Sequence, residues 1–241
     1  MDPWKGSAEL NQRLASISTM WTVLREAHGE IPLQANHAQQ VLLERYGNAI
    51  YRYILSAIRD PHIADDLTQE FAFRLVKGDF KNVDPSRGQF RKYLKTVLFR
   101  MVSEHRKNKA KEPRGQLFES QAIEVANADQ PQTDQQWIES WRDELLARAW
   151  ESLLANNAVF YAVLKLKSEN PKMGSAEMSE RLTAQIMKPM SADNVRQNLR
   201  RARDQFAAYL IDGVAESLDD PSVDAVESEL IDLQLLAYCR K

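Results

Sequence analysis

Residues 38–58 read AQQVLLERYGNAIYRYILSAI. Ala38, Val41, Leu42, Tyr46, Ala49, Ile50, Tyr53, Ile54, Ala57 and Ile58 recur there at spacings of three and four. That period is one stripe of a long amphipathic helix. Just downstream, Asp60-Pro61 offers an N-cap followed by proline at the first helical position. Ile63, Leu67, Phe71, Leu75 and Val76 continue a second helix, which ends near Gly78. Asn82, Asp84-Pro85 and Gly88 mark residues 79–89 as a loop. A third stripe then runs through Phe90, Tyr93, Leu94, Val97, Leu98, Met101 and Val102, and its spacing fails after His105.

The chain turns polar from Asn108 to about Asp134, with Pro113, Gly115 and Pro131, and reads as an interdomain linker. A second helical block starts near Thr133. Trp137, Trp141, Leu145, Ala149 and Leu153 share one face of it, and Asn156-Asn157 interrupts it before Val159, Phe160, Val163 and Leu164. Shorter helical patterns follow over 175–183 and 191–210, and an acidic tail after Gly213 has a weaker one over Ala225–Leu236. The reading is all-α. It comprises an N-terminal extension (1–35), a first helical domain (36–108), a linker (109–133), a second helical domain (134–211) and a C-terminal extension (212–241).

Composition narrows the function. Of the 241 residues, 44% are hydrophobic, enough to bury a core. The lone Cys239 excludes an intramolecular disulfide and a multi-cysteine zinc site, and fits a reducing cytoplasm. No apolar run approaches the roughly 18 residues of a membrane span, and Met1-Asp2-Pro3-Trp4-Lys5 does not begin a signal peptide. His28, His37, His62 and His105 lack metal-ligand spacing. No P-loop, GxGxxG or nucleophile elbow occurs. The expectation is a protein with no catalytic residue, no metal and no cofactor.

The net charge of −2 hides strong segregation. Lys81, Arg87, Arg91, Lys92, Lys95, Arg100, Arg106, Lys107, Lys109, Lys111 and Arg114 face only Asp84, Glu104 and Glu112, so 81–114 carries about +8. Arg196, Arg200, Arg201 and Arg203 form a second basic block. Acids dominate 119–144, and the tail 212–232 has eight acids and no base. Basic helices are the electrostatic footprint of nucleic-acid binding, the alternative being a solvated helix face. Two of them, in separate helical domains, are what a bipartite DNA reader needs. The acidic tail complements Arg87–Lys107 and Arg196–Arg203, which raises the expectation that it folds over one of them; the alternative is a solvated helix.

The last two helices before the tail have helix-turn-helix character. Ser175 caps the first, with Met178 and Leu182 inward. Val195, Leu199, Ala202 and Phe206 form the buried stripe of the second, leaving Asp193, Asn194, Arg196, Gln197, Arg200 and Arg201 outward. Such side chains pair with base edges and phosphates: Arg with guanine, Asn or Gln with adenine, Asp with cytosine.

Three stretches, in order, resemble the sigma-70 family, in particular the small two-domain extracytoplasmic-function (ECF) sigma factors. Asp65-Asp66-Leu67-Thr68-Gln69-Glu70-Phe71-Ala72-Phe73-Arg74-Leu75 is similar to the family's core-polymerase-binding segment. Gly88-Gln89-Phe90-Arg91-Lys92-Tyr93-Leu94-Lys95-Thr96-Val97 resembles the segment that melts and reads the minus-ten element. Val195–Arg203 resembles the recognition helix for the minus-thirty-five element. Together the resemblance spans about 36–210.

The resemblance implies that Asp65, Asp66, Gln69, Glu70 and Phe73 bind core RNA polymerase, at the coiled coil of its largest subunit, with acid-to-base steering. It implies a further contact with the flap of the second-largest subunit. Arg87, Gln89, Arg91, Lys92, Lys95, Phe99 and Arg100 are the implied minus-ten contacts, with Phe99, off the apolar stripe, the stacking candidate. Asp193, Asn194, Arg196, Gln197, Arg200 and Arg201 are the implied minus-thirty-five contacts. An anti-sigma factor is common in the family, and nothing in this sequence identifies one.

The chain departs from the family's pattern in two places. Leu98-Phe99-Arg100 stands where the family usually has Ala-Arg-Asn, and the turn Thr183–Met190, which contains Pro189, is about six residues longer than usual. Two other readings stay open. A stand-alone helix-turn-helix transcriptional regulator would bind duplex DNA without polymerase. A helical adaptor would show no salt-dependent DNA affinity.

Overall fold

The computed structural model describes residues 8–80, 89–110, 130–187 and 189–239. Its elements are helices: α1 (Ala8–Ala15), α2 (Met20–Glu26), α3 (Pro32–Ile58), α4 (Pro61–Lys77), α5 (Phe90–Ala110), α6 (Gln130–Asn156), α7 (Ala158–Glu169), α8 (Ser175–Ile186), α9 (Ala192–Ala215), α10 (Val223–Asp232) and α11 (Leu236–Cys239). No strand occurs among the described residues, so the all-α class stands.

Local chemistry sets several helix ends as the sequence reading expects, whereas Gly174 and not Ser175 is the N-cap of α8, without a side-chain cap, and α6 starts at Gln130, ahead of the expected Thr133. The Asp60 carboxylate accepts from the His62 and Ile63 backbone N–H groups at 3.0 and 3.3 Å, with Pro61 opening α4. Such a cap satisfies two otherwise orphaned donors and stabilises a helix by about 1 kcal/mol. Gly78, at φ 88°, closes the same helix, a left-handed turn for which glycine is suited. Asn157 breaks the chain between α6 and α7, its side chain capping Phe160 N–H at 3.0 Å. Helix α5 runs on past His105 to Ala110, beyond the expected end. Apolar spacing does not mark that end because the last turn is solvated, and Lys107 and Lys109 there complement the helix dipole.

The chain forms two compact units. The first comprises Ser16–Glu144 with Glu216–Pro221; the second comprises Met1–Ala15, Leu145–Ala215 and Ser222–Lys241. Helix α6 contributes its first part to one and its remainder to the other. Most of the expected 109–133 linker lies outside the described residues.

In the first unit, Ala38, Leu42, Tyr46, Ala49, Ile50, Tyr53 and Ile54 of α3 are buried, against Phe71 and Leu75 of α4 and Phe90, Leu94, Leu98 and Met101 of α5. Aromatic contacts bind the added segments. Trp21 of α2 meets the Phe90 ring edge-on at 5.4 Å, and Trp141 of α6 stacks on Tyr46 at 4.5 Å with 9° between planes. The 216–221 segment supplies acceptors to two helix starts. The Glu216 carbonyl takes Met20 N–H at 2.7 Å, and the Ser217 carbonyl takes Phe90 N–H at 3.1 Å.

In the second unit, Val163, Met173, Met178, Leu182, Val195 and Leu199 form the core under α7, α8 and α9. Helix α8 extends to Ile186, so the connection to α9 is shorter than the 183–190 turn of the sequence reading. It is tied down at Met190, whose N–H donates to Thr183 Oγ1 at 3.1 Å and whose carbonyl accepts from Ser179. Met187 closes α8 at φ 57°.

The C-terminal extension docks by burial: Val226, Leu230, Leu233, Leu235 and Cys239 are in the core. Arg196, Arg200, Arg201 and Arg203 remain exposed. The expected cover of that basic block by the acidic tail is therefore absent among the described residues. The tail's apolar period outweighs its charge, because burying five such side chains yields far more than exposed ion pairs would.

Candidate nucleic-acid and partner interfaces

Helix α4 presents a coherent outward face. At about 100° per residue, Asp65, Asp66, Gln69, Glu70 and Phe73 fall within an arc of about 140°. Asp65, Asp66 and Gln69 are exposed and Glu70 is half-buried. Phe73, near the arc's centre, is 60% exposed, and so is Val76 beside it. The sequence reading put Val76 on the buried stripe, and the structure corrects this. Val76 lies three residues from Phe73 and seven from Gln69, which is the signal that could have found it. An apolar centre ringed by carboxylates suits a partner that is basic around an apolar pocket. Among the described residues Glu70 is the member with an ion pair, to Arg74 at 2.7 Å, and that hydrogen bond, ahead of a smaller one from Glu104, raises the guanidinium pKa further.

Helix α5 carries the basic face. Lys92, Lys95, Phe99 and Arg100 lie within an arc of about 140°, opposite the buried Leu94, Leu98 and Met101. Lys92 and Arg100 are exposed, and Phe99 is half-buried. Lys95 is paired with Asp134 of α6 at 2.6 Å. Thr96, Ser103 and Lys107 fall on the same face. Arg106, on its edge, instead donates to the Ala57 carbonyl at 2.7 Å, at the C-terminus of α3.

Arg91 departs from the expectation of a surface contact: it is 4% exposed. The reason is positional, since residue 91 shares a face with 94, 98 and 102 and so falls on the apolar stripe. Gln89 is half-buried, with Oε1 lacking a hydrogen-bond partner among the described residues. Arg87 lies outside the described residues. Phe90 is buried and Tyr93 half-buried, as core packing requires, and burial pushes the Tyr93 hydroxyl up to about 12.

Helix α9 separates its faces cleanly. Val195, Leu199, Ala202 and Phe206 are buried, as read from the sequence. Asp193, Asn194, Arg196, Gln197, Arg200 and Arg201 are all exposed, on an arc of about 160°. Arg196 is paired with Asp193 one turn earlier. The first turns of this helix therefore offer cations and amides to solvent on a rigid, core-anchored support.

Among the described residues no group of three or more His, Cys, Asp or Glu side chains is placed to hold a metal ion. No described helix is long and apolar enough to cross a membrane.

The α3–α5 arrangement defines a helical module with an acidic-apolar face on one helix and a basic face on the next. Residues 42–112 match the sigma-70 region 2 family model. Over those residues the chain is similar to sigma-70 region 2, and the match spans less than a third of its length. No curated protein and no solved structure matches the chain.

Proposed function

We propose that this chain is an ECF-type sigma factor that works in the cytoplasm. In this reading α4 docks on a coiled coil of the largest polymerase subunit through Asp65, Asp66, Gln69, Phe73 and Val76. The start of α5, with Lys92, Phe99 and Arg100, holds the melted minus-ten strand. Helices α8 and α9 act as a helix-turn-helix, with Asn194, Arg196, Gln197, Arg200 and Arg201 at the minus-thirty-five element. An N-terminal extension of α1 and α2 and a docked C-terminal extension complete each unit.

The observation that carries the reading is the exposed Phe73 within the acidic face of α4, inside a matched region 2 and followed by the basic face of α5. A monomeric helix has no folding reason to leave a phenylalanine 60% exposed among carboxylates. The exposed cations of α5 and α9 supply the phosphate contacts that bipartite DNA recognition needs. In this role the protein performs no bond chemistry of its own.

The test is transcription in vitro with purified core polymerase on a promoter library. Specific initiation that depends on the chain supports the proposal. Tight duplex binding without polymerase, and no initiation, would favour a stand-alone helix-turn-helix regulator.

A further inference from the structure

Asp134 meets Lys95 Nζ at 2.6 Å, on the flank of the basic face of α5. Asp134 therefore sits against Lys95 at the edge of that face, where a phosphate of a bound strand would make its ion pair. The first part of α6 holds it there. Trp137 meets Tyr53 edge-on at 5.3 Å, Trp141 stacks on Tyr46, and Arg52 donates to the Ser140 carbonyl at 2.9 Å.

The contact is replaceable because the ion pair itself is partly solvated, with Lys95 at 29% and Asp134 at 42% exposure. The exchange is local to the Asp134 side chain, since Trp137 and Trp141 stay in the core at 0% and 1% exposure. Pairs of that kind hold weakly and yield to a competing polyanion. The segment is also acidic, with Asp134, Glu139, Asp143 and Glu144 against Arg142 alone.

Resting on the assignment of α5 to the minus-ten strand, we infer that residues 134–144 are an acidic guard. Asp134 occupies a phosphate position beside Lys95, and single-stranded DNA must displace it to engage that edge of the helix. The guard regulates access; Lys92 and Arg100, on the open part of the face, stay available for the first contact.

The test uses the full chain and a fluorescein-labelled single-stranded oligothymidylate, with affinity followed across salt concentration. Asp134→Asn is expected to tighten binding about threefold at low salt and to steepen the salt slope by about 0.7, the signature of one more phosphate engaged. In a Lys95→Ala background the same substitution should change nothing. Equal affinity and slope for the native chain and Asp134→Asn would overturn the guard, as would an undiminished gain in the Lys95→Ala background. If Lys92→Ala weakens binding while Asp134→Asn leaves it alone, the guard fails by itself. If neither Lys92→Ala nor Lys95→Ala affects binding, the assignment of α5 fails and takes the guard with it.

Discussion

Glu70 accepts from Arg74 Nε at 2.7 Å, and Arg74 reaches on to Glu104 of α5 at 3.2 Å. This chain of contacts ties α4 to α5 and sorts the acids of α4 into two kinds. Glu70 is committed to the fold, whereas Asp65 and Asp66 have no ion pair with a described residue. In urea unfolding, Glu70→Gln should therefore lower stability by up to about 1 kcal/mol. Asp66→Asn should leave it unchanged.

Phe73 separates binding from folding in the same way. Its ring is largely in water, so Phe73→Ala should shift stability by no more than about 0.5 kcal/mol. Buried in an interface the same ring is an anchor. Core-polymerase affinity, measured by fluorescence anisotropy of the labelled chain, should fall at least about tenfold.

Adjacent residues on α5 should behave in opposite ways. Arg91 is interior and Lys92 exposed. Arg91→Ala should cost on the order of 1–3 kcal/mol of stability through lost packing and polar contacts. Lys92→Ala should leave stability alone and reduce the salt slope of single-strand binding by about 0.7. Thermal melts and salt titrations of the two variants check both halves.

That contrast shows what the sequence can and cannot say. The stripes of α3, α5, α6 and α9 were legible because burial follows period: Tyr46, Leu98, Trp141 and Leu199 are all interior. The Asp60 cap, the Gly78 stop and the Asn157 break were legible because each is local chemistry. Arg91 was misplaced because charge was counted without angle, although its spacing from Leu94 and Leu98 was available. The Lys95–Asp134 pair and the carbonyls of Glu216 and Ser217 on α2 and α5 were not legible, since they join segments far apart in the chain. The tail was read by its acids, whereas Leu230, Leu233 and Leu235 decide where it goes.

Cys239 should be inert. It is 2% exposed, and burial pushes its thiol up to about 12. The thiol stays protonated in the folded state where an unfolded one already ionises. Its contribution to stability is complete below the unfolded pKa and is lost as pH rises from there toward about 12. Iodoacetamide at pH 8 should label the native chain far more slowly than the urea-unfolded chain, as read by mass spectrometry.

Met187 holds a left-handed backbone at φ 57° and is 89% exposed. A side chain there costs conformational energy and gains no burial. Met187→Gly should raise the stability of the second unit by about 1 kcal/mol, read as a higher urea midpoint.

The account turns on the acidic face of α4, and one measurement addresses it most directly: equilibrium binding of the full chain to purified core RNA polymerase, with and without Asp65→Lys and Asp66→Lys. The native chain should form a one-to-one complex, and the doubly reversed chain, folded by circular dichroism, should not. A native chain that fails to bind core polymerase, or a reversed chain that binds equally well, would contradict the account.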